Sequence, residues 1–475
     1  MRRTKIVATV GPASNHEQTL RAMLEAGVNV IRINFSHAGS TFKETIELAR
    51  TLADELNHPL AIMADLQGPK IRVGRFEKNF ITLVNGQKFT LNCLAEPPLG
   101  DESGVSVDYL SLCDELNVGD HLLLDDGLIE LVVTDIRDKF IDCEVIEGGK
   151  LSNNKGINRK GGGLAAGALT SKDKQDMANA INAGVDYVTL SFVKNASDIE
   201  DARRLLAELN SPDTPIIAKI ERTEALEHLT EIITAADGIM VARGDLGVEV
   251  GAAEVPAIQK RIIKETRLLN KIVITATQMM ESMINHPQPT RAEVSDVANA
   301  ILDGTDAVML SAETASGQYP VKVISMVDKT CVSAEKHASF FYKLNHDTSH
   351  YQRRDQAIAM ASMHIANHFP IAAIVALTES GASAIWMSRQ RSIVPIFAIS
   401  DNEATVRKLS LVNNVFPLHY DYRGISNDQI NQAMIGYLLQ QGLVTENSYV
   451  LVTRGSIIGE PGGTNSLEIL SATGF

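Results

Sequence analysis

Six apolar runs in this chain finish in residues that could do chemistry, and the types they finish in are complementary. Arg32 and Asn34 close one run, within Arg32-Ile33-Asn34-Phe35-Ser36-His37, and Asp65 closes the next. Lys219-Ile220-Glu221 closes a third and Arg243-Gly244-Asp245 a fourth; Thr277 ends a fifth, and Ser311 a sixth with Glu313 just beyond it. Side chains two apart on a strand share a face, so Lys219 points with Glu221 and Arg32 with Asn34. A buried cation beside carboxylates is costly unless the charges are paired or engage metal and phosphate. Glu221 and Asp245 offer two hard oxygen ligands of the kind Mg²⁺ accepts, with substrate oxygens and water completing the shell. Arg32 can grip a phosphoryl group through two nitrogens, and Lys219 meets the same anion. Gly244-Asp245-Leu246-Gly247 is expected to open a helical turn whose N–H groups suit a carboxylate. Taken one at a time, each such residue is more often a structural ion pair or cap; at successive strand ends they read as one site.

Placing those ends together requires a particular scaffold. Short β-branched runs at 5–10, 28–34, 60–65, 185–193, 215–221, 238–243, 271–277 and 306–311 alternate with helical stretches at 16–26, 41–56, 173–183, 197–209, 224–235, 255–269, 291–302 and 320–337. The runs are apolar throughout, as parallel strands buried on both faces must be. Eight strand–helix pairs predict an α/β fold built on a (β/α)8 TIM barrel over 1–72 and 165–340, with catalytic groups at the C-terminal strand ends. An open doubly wound sheet has the same alternation. The pattern breaks at 73–164, where strand-like runs are separated by Asn85-Gly86, Asp125-Asp126-Gly127 and Gly148-Gly149. This segment predicts a small inserted β-barrel lid domain after strand three, hinged at Gly68-Pro69 and Gly161-Gly162-Gly163. From 345 to 475 a second alternation predicts a C-terminal open α/β sheet domain.

Bulk properties narrow the function classes. The 475 residues exceed one ordinary core, so roughly two to four domains are expected. With 44 basic against 58 acidic residues the formal charge is −14. That balance repels phosphate backbones and anionic lipid, which argues against nucleic-acid or membrane partners. An anionic substrate must therefore find its cations locally. Cys93, Cys113, Cys143 and Cys331 have no metal-ligand spacing and read as reduced cytosolic thiols. No apolar stretch has the length of a signal peptide or membrane span, so a cytoplasmic location is expected. His346 with His350 and His364 with His368 have HxxxH spacing without a third ligand, and Met279, Met280 and Met283 read as core filling.

Several strings carry a resemblance. Arg32–His37 (RINFSH), 65–72 (DLQGPKIR), 153–158 (NNKGIN), 219–222 (KIER), 240–249 (MVARGDLGVE), 276–283 (ATQMMESM) and 289–315 are similar to pyruvate kinase segments and occur in that family's order. The resemblance implies a glycolytic phosphotransferase that moves the phosphoryl group of phosphoenolpyruvate to ADP with Mg²⁺ or Mn²⁺, working as a homotetramer. Glu221 and Asp245 match the metal ligands. Arg32, Lys219, Gly244, Asp245 and Thr277 match substrate contacts, with Lys219 steadying the enolate and Thr277 near the carbon protonated afterwards. Asn34, His37, Arg72, Lys155 and Lys172 match positions at the nucleotide.

The chain also departs from the family pattern. Many members need K⁺, held by groups matching Asn34, Ser36, Asp65 and the carbonyl of Leu66. Those members usually carry threonine where this chain has Leu66 and glutamate where it has Lys70. The Lys70 ammonium is expected to supply the missing charge near Asp65, so that K⁺ is not required, as in the potassium-independent bacterial form activated by AMP or sugar monophosphates. Thr378, Ser380, Gly381 and Ser383 lie in the loop where the family binds its effector, between a strand and a helix. With no basic cluster beside them, a monophosphate is the expected ligand. Two other classes compete: a Mg²⁺-dependent lyase acting on enolates, and a non-catalytic barrel that binds phosphometabolites. The lyase has no use for the lid or for Arg72, Lys155 and Lys172, and the binding protein has no need to keep Lys219 and both metal ligands.

Overall fold

The eight apolar runs form strands Lys5–Thr9, Val30–Asn34, Ala61–Asp65, Tyr187–Leu190, Ile216–Ile220, Gly238–Ala242, Ile272–Ala276 and Ala307–Leu310. They close into a parallel barrel in which the first strand lies between the second and the last, so the open-sheet alternative fails. Most are buried at every position, which is why their sequences show no polar alternation. The computed structural model describes residues 1–37, 39, 41–164, 167–337, 351, 353–390, 392–457 and 462–473; the expected boundary near 345 and the pair His346/His350 lie outside them. The chain divides into two compact units, one of Met1–Ala64, Ala180–Val188 and Ile263–Phe475, the other of Asp65–Asn179 and Thr189–Ile262.

In the first unit the C-terminal segment builds a five-stranded sheet. Strands Val415–His419, Ile396–Ser400, Ile371–Leu377 and Tyr449–Gly455 run parallel, and Thr464–Ser471 adds an antiparallel edge. That edge strand escapes the sequence reading because its residues are mostly half-exposed or exposed and carry few branched side chains. Buried charges join the C-terminal segment to the barrel strands of this unit. Arg389 grips Asp306 with two nitrogens, at 2.8 and 2.5 Å. Lys5 Nζ donates to the Val415 carbonyl at 2.6 Å, and Arg407 Nε donates to Asp186 at 2.9 Å. Met279, Met280 and Met283 fill the core as expected, all fully buried.

The second unit holds the inserted β domain. Its strands form a six-stranded sheet and a two-stranded ribbon around a core that includes Phe89, Leu122, Leu131 and Ile141. Three short strands, Gly104–Ser106, Gly149–Ser152 and Ile157–Arg159, carry too few residues to show a period. Gly161, Gly162 and Gly163 all adopt positive φ, +83°, +80° and +94°, which only glycine reaches without strain. The predicted helix 224–235 is two helices, Thr223–Glu227 and Leu229–Ala235, and a further helix, Arg243–Val250, starts directly at the end of the sixth barrel strand. All four cysteines are free and buried, and the Cys113 and Cys93 sulfurs lie 2.9 Å apart.

Candidate active site

In the second unit, Lys219 is the centre of a buried cluster. Its ammonium lies 2.9 Å from Glu221 Oε1 and 3.5 Å from Asp65 Oδ1, and it donates to Ser191 Oγ at 2.8 Å. The neighbours are themselves fixed. Ser191 Oγ donates to the Leu66 carbonyl at 2.8 Å, Thr189 Oγ1 donates to Asp65 Oδ1 at 2.5 Å, and the Phe192 N–H donates to Glu221 Oε2 at 2.7 Å. Burial drives the Glu221 pKa up; Lys219 pulls it back, and the Asp245 charge pushes it up again. Two carboxylates that repel each other in a dry site call for a cation, which is the fit expected of a divalent-metal pair. Among the described residues no three His, Cys, Asp or Glu side chains converge.

The loop after strand Ala61–Asp65 is built to aim Lys70. Gly68 has φ +67°, and a Cβ there would meet Ser191 Cβ at 2.8 Å; its N–H donates to buried Asp173 at 3.0 Å. Lys70 then runs past Gly156, where an added Cβ would lie 2.7 Å from Lys70 Cε. Its ammonium donates to Asp245 Oδ1 at 2.7 Å and lies 3.7 Å from Asp126 Oδ1. Burial alone would lower its pKa, but Asp245, Asp126 and Glu221 outweigh that and raise it. The sequence reading set this charge beside Asp65; the structure pairs it with Asp245, and the ammonium near Asp65 is that of Lys219. Asp245 itself sits in the first turn of helix Arg243–Val250.

Three of the residues expected at the nucleotide, Arg72, Lys155 and Lys172, lie in the second unit. Arg72 Nη1 donates to the Asn154 carbonyl at 2.9 Å, Lys155 pairs with Asp125 at 2.7 Å, and Lys172 pairs with Asp176 on its own helix. Asp125 and Asp126, both at positive φ, thus hold Lys155 and Lys70 from one tight turn.

In the first unit, Arg32 is buried at the end of strand Val30–Asn34 and donates to Thr9 Oγ1 at 2.8 Å. Asn34 Oδ1 accepts from the Ser36 N–H at 3.1 Å and shapes the turn that leaves His37 exposed. Thr277 adopts φ +69° and is followed by Gln278 at +53°. A β-branched residue rarely takes this conformation, and strain of this kind gathers at functional sites. Glu313 proves to be a strut: it is buried and accepts from the Met280 and Ser311 N–H groups at 3.2 and 2.7 Å. In the C-terminal segment, Gly381 at φ +83° precedes helix Ala382–Arg389. Thr378 Oγ1 accepts from its N–H at 2.9 Å, and Ser383 shares a 2.6 Å hydrogen bond with Thr464. Thr378, Ser380 and Ser383 line a cleft there with Tyr422 and Thr464. His364 and His368 stack on each other, ring centres 4.4 Å apart.

The sequence reading missed Thr9, Thr189, Ser191, Asp126 and Asp173. Thr189 and Ser191, two apart at the end of the fourth strand, carried the same alternation that exposed Lys219 and Glu221.

Comparison with known proteins identifies the family. Residues 1–324 match the family described as pyruvate kinase, barrel domain, and residues 356–470 match pyruvate kinase, alpha/beta domain. A pyruvate kinase of Buchnera aphidicola from the aphid Acyrthosiphon pisum is 46% identical over 99% of this chain and 98% of its own. Pyruvate kinase II of Salmonella typhimurium is 45% identical over 99% of each. The crystal structure of a pyruvate kinase from Cryptosporidium parvum superposes with a TM-score of 0.92 at 29% identity, covering 99% of this chain and 96% of that one. The chain is a phosphotransferase and belongs to the pyruvate kinase family.

Proposed function

We propose that the chain transfers the phosphoryl group of phosphoenolpyruvate to ADP, giving pyruvate and ATP, with Lys219, Arg32 and Thr277 as its catalytic groups. The observation that carries this assignment of roles is the buried Lys219 ammonium held between Glu221 and Asp65. Such a cation is already desolvated and aimed, so it stabilises charge that develops beside it without reorganising. Glu221 and Asp245 would hold Mg²⁺, which when bound neutralises phosphoryl and enolate oxygens.

The chain's own groups then divide the work. Arg32 grips the phosphoryl oxygens, and the N–H groups of Gly244 and Asp245 hold the substrate carboxylate. An ADP oxygen attacks phosphorus, the bond to the bridging oxygen breaks, and its electron pair stays on the enolate beside Lys219. A proton delivered on the Thr277 side to the enolate carbon completes pyruvate. Arg72, Lys155 and Lys172, with Asn34 and His37, hold the nucleotide phosphates. The catalytic barrel is drawn as 1–72 and 165–340, the lid as 73–164 and the regulatory domain as 345–475.

Lys70 replaces K⁺ by placing a fixed positive charge against Asp245, while the Ser191 hydroxyl occupies the Leu66 carbonyl. The Thr378–Ser383 loop binds AMP or a sugar monophosphate, since no lysine or arginine is among the described residues of its cleft. The active form is a cytoplasmic homotetramer. The test is NADH-coupled pyruvate formation with Mg²⁺, with and without K⁺, AMP and a sugar monophosphate, alongside sedimentation of the enzyme. ADP-dependent turnover that ignores K⁺ and rises with a monophosphate is expected. Turnover only with K⁺ removes the role given to Lys70, and no ADP-dependent pyruvate under any condition removes the assignment.

A further inference from the structure

Glu249 lies outside the roles assigned above, yet it touches what the metal pair depends on. It sits four residues after Asp245 in helix Arg243–Val250, so the two carboxylates occupy the same stripe one turn apart. Its Oε2 accepts from the Thr223 N–H at 2.9 Å, two residues past Glu221. Helix Thr223–Glu227 has only five residues, and Arg222 at its N-cap provides no side-chain cap. Its first donors would be orphans, and Glu249 caps one from another helix. The other oxygen, Oε1, accepts from Asn158 Nδ2 at 3.4 Å, on strand Ile157–Arg159 of the inserted domain.

We propose that Glu249 is a positioning residue that fixes the separation of Glu221 and Asp245, by tying the backbone that follows one to the helix that carries the other. The proposal rests on reading Glu221 and Asp245 as the metal ligands. Outer partners of this kind orient ligands, and their loss weakens metal binding by roughly 10–100-fold.

The surroundings add a signature that a plain helix cap would lack. Arg222, Glu224 and Lys70 line the same small cavity as Glu249. Arg222 turns away to donate to the Leu164 carbonyl at 3.0 Å with its guanidinium over the Phe192 ring, Glu224 accepts from the Gly163 N–H, and Lys70 is held by Asp245. Burial, with Glu224 adding, pushes the Glu249 pKa up to about 7, against the pull of the Thr223 N–H and Arg222. The carboxylate, a stronger acceptor than the acid, therefore gives way to the neutral form as pH falls through that value.

The experiment is calorimetric titration of the full-length protein with Mn²⁺ from pH 6 to 8.5, for wild type, Glu249→Gln, Glu249→Ala and Glu221→Gln, each checked for folding by thermal unfolding. Glu249→Gln should bind about tenfold more weakly at pH 8 and converge on wild type near pH 6, where both side chains are neutral acceptors. Glu249→Ala should be weaker at every pH. Equal affinity of Glu249→Gln and wild type at pH 8, or a gap that stays constant down to pH 6, overturns the inference while leaving the ligand assignment intact. If Glu221→Gln binds Mn²⁺ like wild type, the ligand assignment itself fails and the inference falls with it.

Discussion

Replacing Lys219 by methionine removes one ammonium and leaves a chain of similar length and shape. The structure says what that ammonium does before any substrate arrives. It contacts Glu221 at 2.9 Å and Asp65 at 3.5 Å, and it donates to Ser191. In the proposed assignment it faces the enolate oxygen during transfer, where negative charge develops. A preoriented donor in a dry site is worth roughly 3–4 kcal/mol of transition-state stabilisation. At about 1.4 kcal/mol per tenfold, kcat of Lys219→Met should fall by roughly 10²–10³.

The same substitution removes a cation shared by two buried carboxylates, so weakened metal binding and the missing charge both lower activity. The two causes separate in the readout. Steady-state kinetics with phosphoenolpyruvate at saturating ADP gives kcat and KM, and Mn²⁺ titration gives the ground state. With Lys219 gone, its attraction no longer holds down the Glu221 pKa, which rises further. Mn²⁺ affinity should therefore shift more as pH is lowered and less as it is raised. A kcat within about tenfold of wild type at pH 8 and saturating metal would refute the role given to Lys219. So would a fall that saturating metal restores in full.

Two further substitutions probe the scaffold. Burial, with Arg2 nearby, lowers the Lys5 pKa from 10.5 to about 7. The folded state thus binds fewer protons than the unfolded one between these values, and wild type should gain on Lys5→Met by about 1.4 kcal/mol per pH step across that window, with no further change below about pH 7. Denaturant unfolding at pH 7 to 10 measures this, and a stability difference that stays level or runs the other way contradicts it. Gly68→Ala puts a methyl where φ is +67° and Ser191 Cβ is 2.8 Å away. It should cost about 1–3 kcal/mol and lower kcat by displacing Ser191 from Lys219; thermal unfolding and kinetics unchanged from wild type would show that the loop yields freely.

What could be read from the sequence, and what could not, divides along the cost of burial. Arg32, Asp65, Lys219, Glu221 and Asp245 stood out because a charge at the end of an apolar run is expensive unless something compensates it. The barrel was legible for the related reason that eight fully buried strands leave no polar alternation. Thr189, Ser191 and Thr9 did not stand out, although they contact the charges directly, because a hydroxyl on a buried strand has a cheap solution in the nearest carbonyl. Their roles exist only once the neighbouring strand brings a charge opposite them: Thr189 is an ordinary strand threonine until Asp65 lies 2.5 Å away. Lys70 shows the limit from the other side. Its departure from the family pattern was visible, but its partner was not. That partner depends on a glycine at positive φ aiming the loop, on Gly156 leaving room for the side chain, and on a turn that presents Asp126. Glu249 combines both cases, a charge whose spacing from Asp245 is plain in the sequence and whose partner is a backbone N–H. Motif reading therefore finds residues that carry charge into a site, whereas the groups that hold those charges in place must be found from coordinates. The Mn²⁺ titrations of Glu249→Gln and Lys219→Met bear on that division directly: it predicts that a holding group chiefly moves metal affinity, and that a charge facing the reacting oxygen chiefly moves kcat.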